Sequence, residues 1–326
     1  MRGNSAPHYC DMKWEKRGLI FAPDGKYEWN KSHAQVPVVD IMEDKWRIYY
    51  ATRNLNGKSL VSYFDVEVEN PKNILYVHDH PILSFGRLGT FDEDGIMPSS
   101  IVTVGEKKFL YYIGWSQRKS VPYQNNIGLA ISPDGGNTFE KYSEGPIIGI
   151  NHIDPFFTGT IYVLKENDSF KGYYLSCTGW KIVNDRPESM YVLKYASSID
   201  GVNWHRENKI AIPFKNENEG GLVSASVIKS KSGKYLMWFG HRNYFDFRKN
   251  PLNSYRIGFA ESNDGLAWFR NDEKSGIDIS DAGWDSEMIS YPNVLQSGNK
   301  LYLFYNGNNF GKSGIGFATL NLNAHE

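Results

Sequence analysis

The sequence holds only two cysteines, Cys10 and Cys177, and neither stands in a Cys-x-x-Cys pair. That excludes a disulfide framework and a cysteine-based zinc or redox site, and a reducing cytoplasm is the expected location. Charge of either sign is not in excess either, because 36 Lys plus Arg meet 37 Asp plus Glu. A field so nearly balanced gives no reason to expect nucleic acid or an anionic membrane as partner. No apolar run approaches the roughly 20 residues of a membrane span. The first residues, MRGNSAPHYCDMKWEKRG, lack the apolar stretch of a secretory signal.

What the sequence does have is aromatic residues and glycine, with 21 Tyr, 18 Phe, 9 Trp and 31 Gly. These suit pleated strands joined by tight turns, so the chain is expected to be all-β. Five stretches, near 33–54, 94–117, 154–180, 220–243 and 287–309, repeat one pattern. Each is an apolar strand, a polar turn and an aromatic-rich strand, the pattern of a β-hairpin. Anchored on Val39, Ile101, Ile161, Val227 and Val294, the repeat has a period of about 60–67 residues.

A third strand follows each hairpin, and three of these run into a shared turn: SPDGGNTF, SIDGVNW and SNDGLAW. Asp134, Asp200 and Asp264 belong to those turns and are read as structural. The chain stops after the fifth third strand, while WEKRGLIFAP, residues 14–23, resembles an outer strand with no hairpin of its own. The expectation is one domain, 1–326, a five-bladed β-propeller of four-stranded antiparallel blades. The N-terminal strand would complete the last blade and leave no open edge.

In such an arrangement the start of each inner strand and the end of the next strand share one rim. Seven residues before the anchors stand Ser32, Asp94, Asp154, Gly220 and Glu287, with Glu219 one residue earlier in the fourth repeat. At the other ends of the hairpins lie Arg53, Trp115, Trp180, His241, Arg242 and Asn306. Acids on one axis ringed by aromatic, guanidinium and amide groups have the chemistry to hold a sugar. A lone Asp before a strand also serves as a turn former, and Asp285 is assigned that role.

Five repeats closed by a displaced strand, inner strands headed by acids, and segments such as YASSIDGVNW resemble the five-bladed propeller glycoside hydrolases. These comprise the arabinanase and β-xylosidase, invertase and levansucrase, and mannoside phosphorylase groups. The chain is similar to them as a divergent relative, since the first repeat has SHAQVP where an acid is expected. The resemblance implies an inverting glycosidase of small saccharides, and no cofactor or metal is expected. Glu287 and Asp94 are expected to be its acid and base pair, in either order, with Asp154 as a third acid that orients substrate or raises its neighbour's pKa. Arg53, Trp115, Trp180, Glu219, His241, Arg242 and Asn306 would hold the sugar. Inversion requires carboxyl groups roughly 6.5–9.5 Å apart. Two alternatives remain open: a sugar phosphorylase or sugar-nucleotide enzyme, with Arg53, His241 and Arg242 on phosphate, and a non-catalytic glycan-binding propeller.

Overall fold

A computed structural model describes residues 12–322; Cys10 and most of the N-terminal segment read above lie outside them. The first strand, β1 (Glu15–Phe21), precedes four sets of four strands. These are β2 (Ser32–Ile41), β3 (Trp46–Arg53), β4 (Ser59–Glu67) and β5 (Asn70–Val77), then β6 (Gly95–Val104), β7 (Lys107–Gln117), β8 (Tyr123–Ser132) and β9 (Glu140–Lys141). The third set is β10 (Thr158–Glu166), β11 (Ser169–Val183), β12 (Arg186–Ser198) and β13 (His205–Ile212). The fourth is β14 (Glu219–Lys229), β15 (Tyr235–Asn243), β16 (Arg256–Ser262) and β17 (Phe269–Arg270). Three strands, β18 (Ser290–Ser297), β19 (Lys300–Asn306) and β20 (Ile315–Asn321), end the chain.

Each set is an antiparallel unit in chain order, and β1 supplies the missing fourth strand of the last by pairing with β20. Two eight-stranded sheets arise because neighbouring units share a single parallel bridge, Ser59 to Gly95 and Tyr191 to Gly221. The first strands touch in cyclic order, β2 to β6, β10, β14, β18 and back to β2. Hydrophobic clusters fill the spaces between successive units, such as Trp46, Tyr50 and Phe64 of the first against Tyr302, Phe304 and Phe317 of the last. Each fully buried aromatic of this kind contributes about 1.5–3 kcal/mol of transfer free energy.

An aromatic pair in each second strand explains the repeat. In the first three units it is Tyr-Tyr, and its first hydroxyl donates to a turn glycine of the following unit: Tyr49 to Gly136, Tyr111 to Gly201 and Tyr173 to Gly265. Those glycines have φ of +94°, +74° and +72°, and a Cβ on any of them would lie within 2.9 Å of the tyrosine oxygen. Only glycine meets both demands, which is why a glycine recurs under the tyrosine in each of these turns.

The first strands are all interrupted by a bulge, at Gln35–Val38, Pro98–Ser100, Thr158–Ile161, Val223–Ser226 and Ser290–Asn293. Bulges re-aim side chains and free backbone groups, and here small polar residues of adjacent units take those groups up. Ser100 accepts from Val163 N–H, Thr160 from Ser224, Ser226 from Val294, and Asn293 from Val39. His33 (φ +67°), Val36 (+55°), Ser224 (+49°) and Tyr291 (+55°) adopt left-handed backbone in these stretches.

Candidate functional site

The expected trio of carboxylates shares no described cavity and no common partner. Asp154 is fully buried, where Ser176 Oγ (2.6 Å), Lys194 Nζ (2.9 Å), Tyr174 OH (3.1 Å) and Arg206 (2.7 Å) all donate to it. Burial alone would push its carboxyl up, but Ser176, Lys194 and Arg206 outweigh that and hold it below the usual range. Asp94 pairs with Lys58 at 2.8 Å and accepts from Gln117 N–H. There too the effect of burial is outweighed, so its carboxyl is lowered. Glu287 is exposed beside a small crevice that shares Phe247, Arg248 and Phe310 with a larger cavity. Asp94 and Asp154 are thus ionised near neutrality, the state of a salt-bridge partner and not of a proton donor.

A different set of acids shares one structural role. Tyr112 OH donates to Asp92, Tyr174 OH to Asp154 and Tyr305 OH to Asp285, each spanning twenty residues. Asn30, also twenty residues before its partner, instead donates its amide to Tyr50 OH, and Glu219 lies twenty residues before Phe239. Four of the five then clamp the outer strand of their own unit through a cation: Lys141 on Asp92, Arg206 on Asp154, Arg270 on Glu219 and Lys16 on Asp285. Asp285 lies in a turn, as expected, and is also a buried clamp; it, and not Glu287, is the repeat counterpart of Asp154.

Other expected sugar contacts are also structural. Glu219 is held bidentately by Arg270 at 2.6 and 2.7 Å. Burial would raise its carboxyl, yet Arg270 and His241 bring it down to about 2. His241 sits 3.4 Å from Glu219, not in the cavity wall. Trp180 packs behind the wall, its ring 5.7 Å from Tyr123 and from Phe157. Asn306 is buried, accepting from Val36 N–H and donating to Ser290 Oγ.

Arg53, Trp115 and Arg242 do share a cavity of about 420 Å³. It lies where strand starts and ends come together, with His33 and Tyr291 aimed by the bulges described above. Arg186 and Arg248, which the repeat does not mark, add two guanidinium groups, and Tyr123, Tyr191, Tyr255 and Tyr291 add four phenols. No carboxylate is among the described lining residues. Arg186 and Arg248 both reach Glu188 behind the wall.

Arg242 is fully buried, and its Nε donates to Tyr191 OH (3.1 Å) and Tyr255 OH (3.2 Å) while its other nitrogens donate to Ser189 and Asn243 carbonyls. Its Cζ lies 3.8 Å from the Phe247 ring centre. Arg53 has a buried Nε without a partner. Its guanidinium is lowered by burial, Tyr291 opposing, with Arg248 adding to the fall. Neither Arg53 nor Arg242 has an ion-pair partner among the described residues. One buried and one half-buried guanidinium group lacking a countercharge favour an incoming anion, since a phosphate or carboxylate would supply one.

No protein-family model matches the sequence. Among curated proteins, the uncharacterized proteins MT1551 and Rv1502 of two Mycobacterium tuberculosis strains are each 35% identical over 310 residues, covering 95% of this chain and 99% of theirs. Similar solved structures include a glycosyl hydrolase from Bacteroides ovatus, with a TM-score of 0.70 and 16% identity over 97% of this chain and 96% of that one. Another glycoside hydrolase gives 0.71 and 19% over 96% and 94%. A third, from work on the GH130 family of mannoside phosphorylases containing glycoside hydrolases that target β-1,2 mannosidic linkages in Candida mannan, gives 0.69 and 16% over 98% and 97%. At these identities the likeness is one of fold, and the fold is that of glycoside hydrolases and mannoside phosphorylases.

Proposed function

The chain belongs to the family of the Mycobacterium tuberculosis proteins MT1551 and Rv1502, and we propose that it is a glycoside-processing enzyme acting on a sugar that carries or receives an anionic group. The proposal takes residues 1–326 as one five-bladed propeller, ringed by the five units, with the 420 Å³ cavity as its substrate site. Phosphorolysis or use of an activated sugar is favoured over hydrolysis by two carboxylates. One observation carries this choice: Arg53 and Arg242 line a wall without a carboxylate and lack countercharges of their own. A cytoplasmic location, where sugar phosphates are made, belongs to the same proposal.

Isothermal titration of inorganic phosphate, hexose 1-phosphates and uridine-diphosphate hexoses tests it, with nitrophenyl glycosides as neutral controls. Anionic ligands are expected to bind, and Arg53→Ala to weaken them by roughly 10–150-fold, the loss of one charged hydrogen-bonding partner. Turnover of neutral glycosides without phosphate, unaffected by anions, would refute it. The same carboxylate-free wall favours a second reading, a propeller that binds a glycan without changing it. Saturable binding of a sugar phosphate with no product in either direction would select that reading.

A further inference from the structure

Beside Arg53 the cavity wall carries one imidazole, that of His33. Its left-handed backbone, φ +67°, lies in the bulged stretch between Ser32 and Gln35. Such a conformation is unfavourable for a residue with a side chain and persists where its surroundings fix it. His33 Nδ1 lies 2.8 Å from Ser32 Oγ, a hydroxyl that donates to a bare nitrogen and accepts from a protonated one. The ring is therefore held in place in both of its charge states.

Arg53 is the cross-strand neighbour of Ser32, and Lys312 brings a second cation from the short helical turn Asn308–Gly311, which packs on β2. Burial first, then Arg53 and Lys312, push the imidazole down to about 4. Tyr291 of β18 lines the same cavity, and Arg186, Arg242 and Arg248 complete the charged wall. The fixed charges of that wall are all positive; Arg186 and Arg248 are paired with Glu188 behind it, whereas Arg53 and Arg242 have no acid partner among the described residues.

We infer that His33 is the proton carrier of this cavity, taking up a proton from solvent when an anion seats against Arg53. The inference rests on the anion-binding reading above and adds to it the acid that the wall lacks. An anion on the guanidinium offsets the Arg53 and Lys312 part of that effect and sets a negative charge beside the ring, which favours the imidazolium against its burial. In transfer of a glycosyl group to phosphate, a phosphate oxygen would form the new bond to the anomeric carbon. The departing oxygen would leave with its bonding pair and take the His33 proton, returning the ring to neutrality.

Sulfate is the probe, because it does not itself titrate between pH 5.5 and 8. Titration calorimetry in buffers of different ionisation enthalpy counts the protons exchanged. The wild-type protein is expected to take up a measurable fraction of a proton per sulfate, larger at pH 5.5 than at pH 7. Its affinity should rise toward acid by at most about tenfold per pH unit, the limit for one linked proton. His33→Gln should bind sulfate with no uptake and a flat pH profile, and imidazole NMR signals of the wild type should show His33 protonating on saturation. Sulfate binding without proton uptake, or uptake that persists in His33→Gln, overturns the inference and leaves the anion site standing. Failure of sulfate and of the sugar phosphates to bind at all overturns both.

Discussion

Replacing Asp154 by Asn separates a structural clamp from a catalytic acid. The substitution keeps the shape of the side chain but removes the countercharge of Lys194, whose side chain is 6% exposed, and of Arg206, at 13%. An amide nitrogen would also face donors where a carboxylate oxygen now accepts. Breaking a buried pair by removing one partner costs about 3–5 kcal/mol, a large share of the roughly 5–15 kcal/mol that holds a native protein together. Urea unfolding at pH 7, followed by tryptophan fluorescence, should register that loss.

The pH dependence has a definite sign. The folded carboxyl of Asp154 is depressed, so its ionised form stabilises the protein above the unfolded value of about 3.9. That contribution disappears as pH falls through the lower folded value. The stability gap between wild type and Asp154→Asn should therefore be level from pH 8 to 5 and close on acidification. Sulfate affinity of the folded variant should be unchanged at pH 7. A variant within about 0.5 kcal/mol of wild type that nonetheless loses ligand binding or turnover would refute the clamp.

Glu287→Gln removes an exposed acid and should leave stability within about 0.5 kcal/mol, measured by the same unfolding. Asn306→Ala strips Val36 N–H and Ser290 of their buried partner and should cost about 1–3 kcal/mol, seen as a lower melting temperature. Gly201→Ala places a Cβ 2.8 Å from Tyr111 OH at φ +74°. It should destabilise more in wild type than in a Tyr111→Phe background, a non-additivity that a double-mutant cycle measures. Burial pushes the Cys177 thiol up to about 12, so a disulfide reagent should label it only at the rate of unfolding.

The strand pattern, the hairpins and the outer N-terminal strand are legible in the sequence because they rest on local alternation and turn chemistry. The register of the acids is not. Val39, Ile101 and Val294 pair with Ile48, Leu110 and Leu303, nine residues on. In the third unit Val163 holds that relation to Gly172, whereas Ile161 pairs with Tyr174. Taking Ile161 as the anchor slips the third unit by two residues, and a slip of two preserves the inward and outward alternation of a strand. Asp94 and Glu287 are thereby aligned with Asp154 in place of Asp92 and Asp285. Counting back twenty residues from each second aromatic recovers Asn30, Asp92, Asp154, Glu219 and Asp285.

The cavity is legible in part. Arg53, Trp115 and Arg242 follow from the hairpin ends, whereas Arg186 opens a third strand and Arg248 comes from the segment between β15 and β16. No repeat marks such positions, and only the folded chain brings them beside Arg53.

The pairing of β1 with β20 also orders events in time. Lys16 reaches Asp285 across 269 residues, so a strand made early by the ribosome has no partner until nearly the whole described chain has been made. At about 5–20 residues per second, that interval is on the order of 15–60 s. Throughout it, any last unit that has formed stays one strand short, and its exposed edge could capture the β1 segment of a neighbouring nascent chain. Pairing of β1 with β20 then becomes a race between intramolecular docking and exchange, decided by local protein concentration.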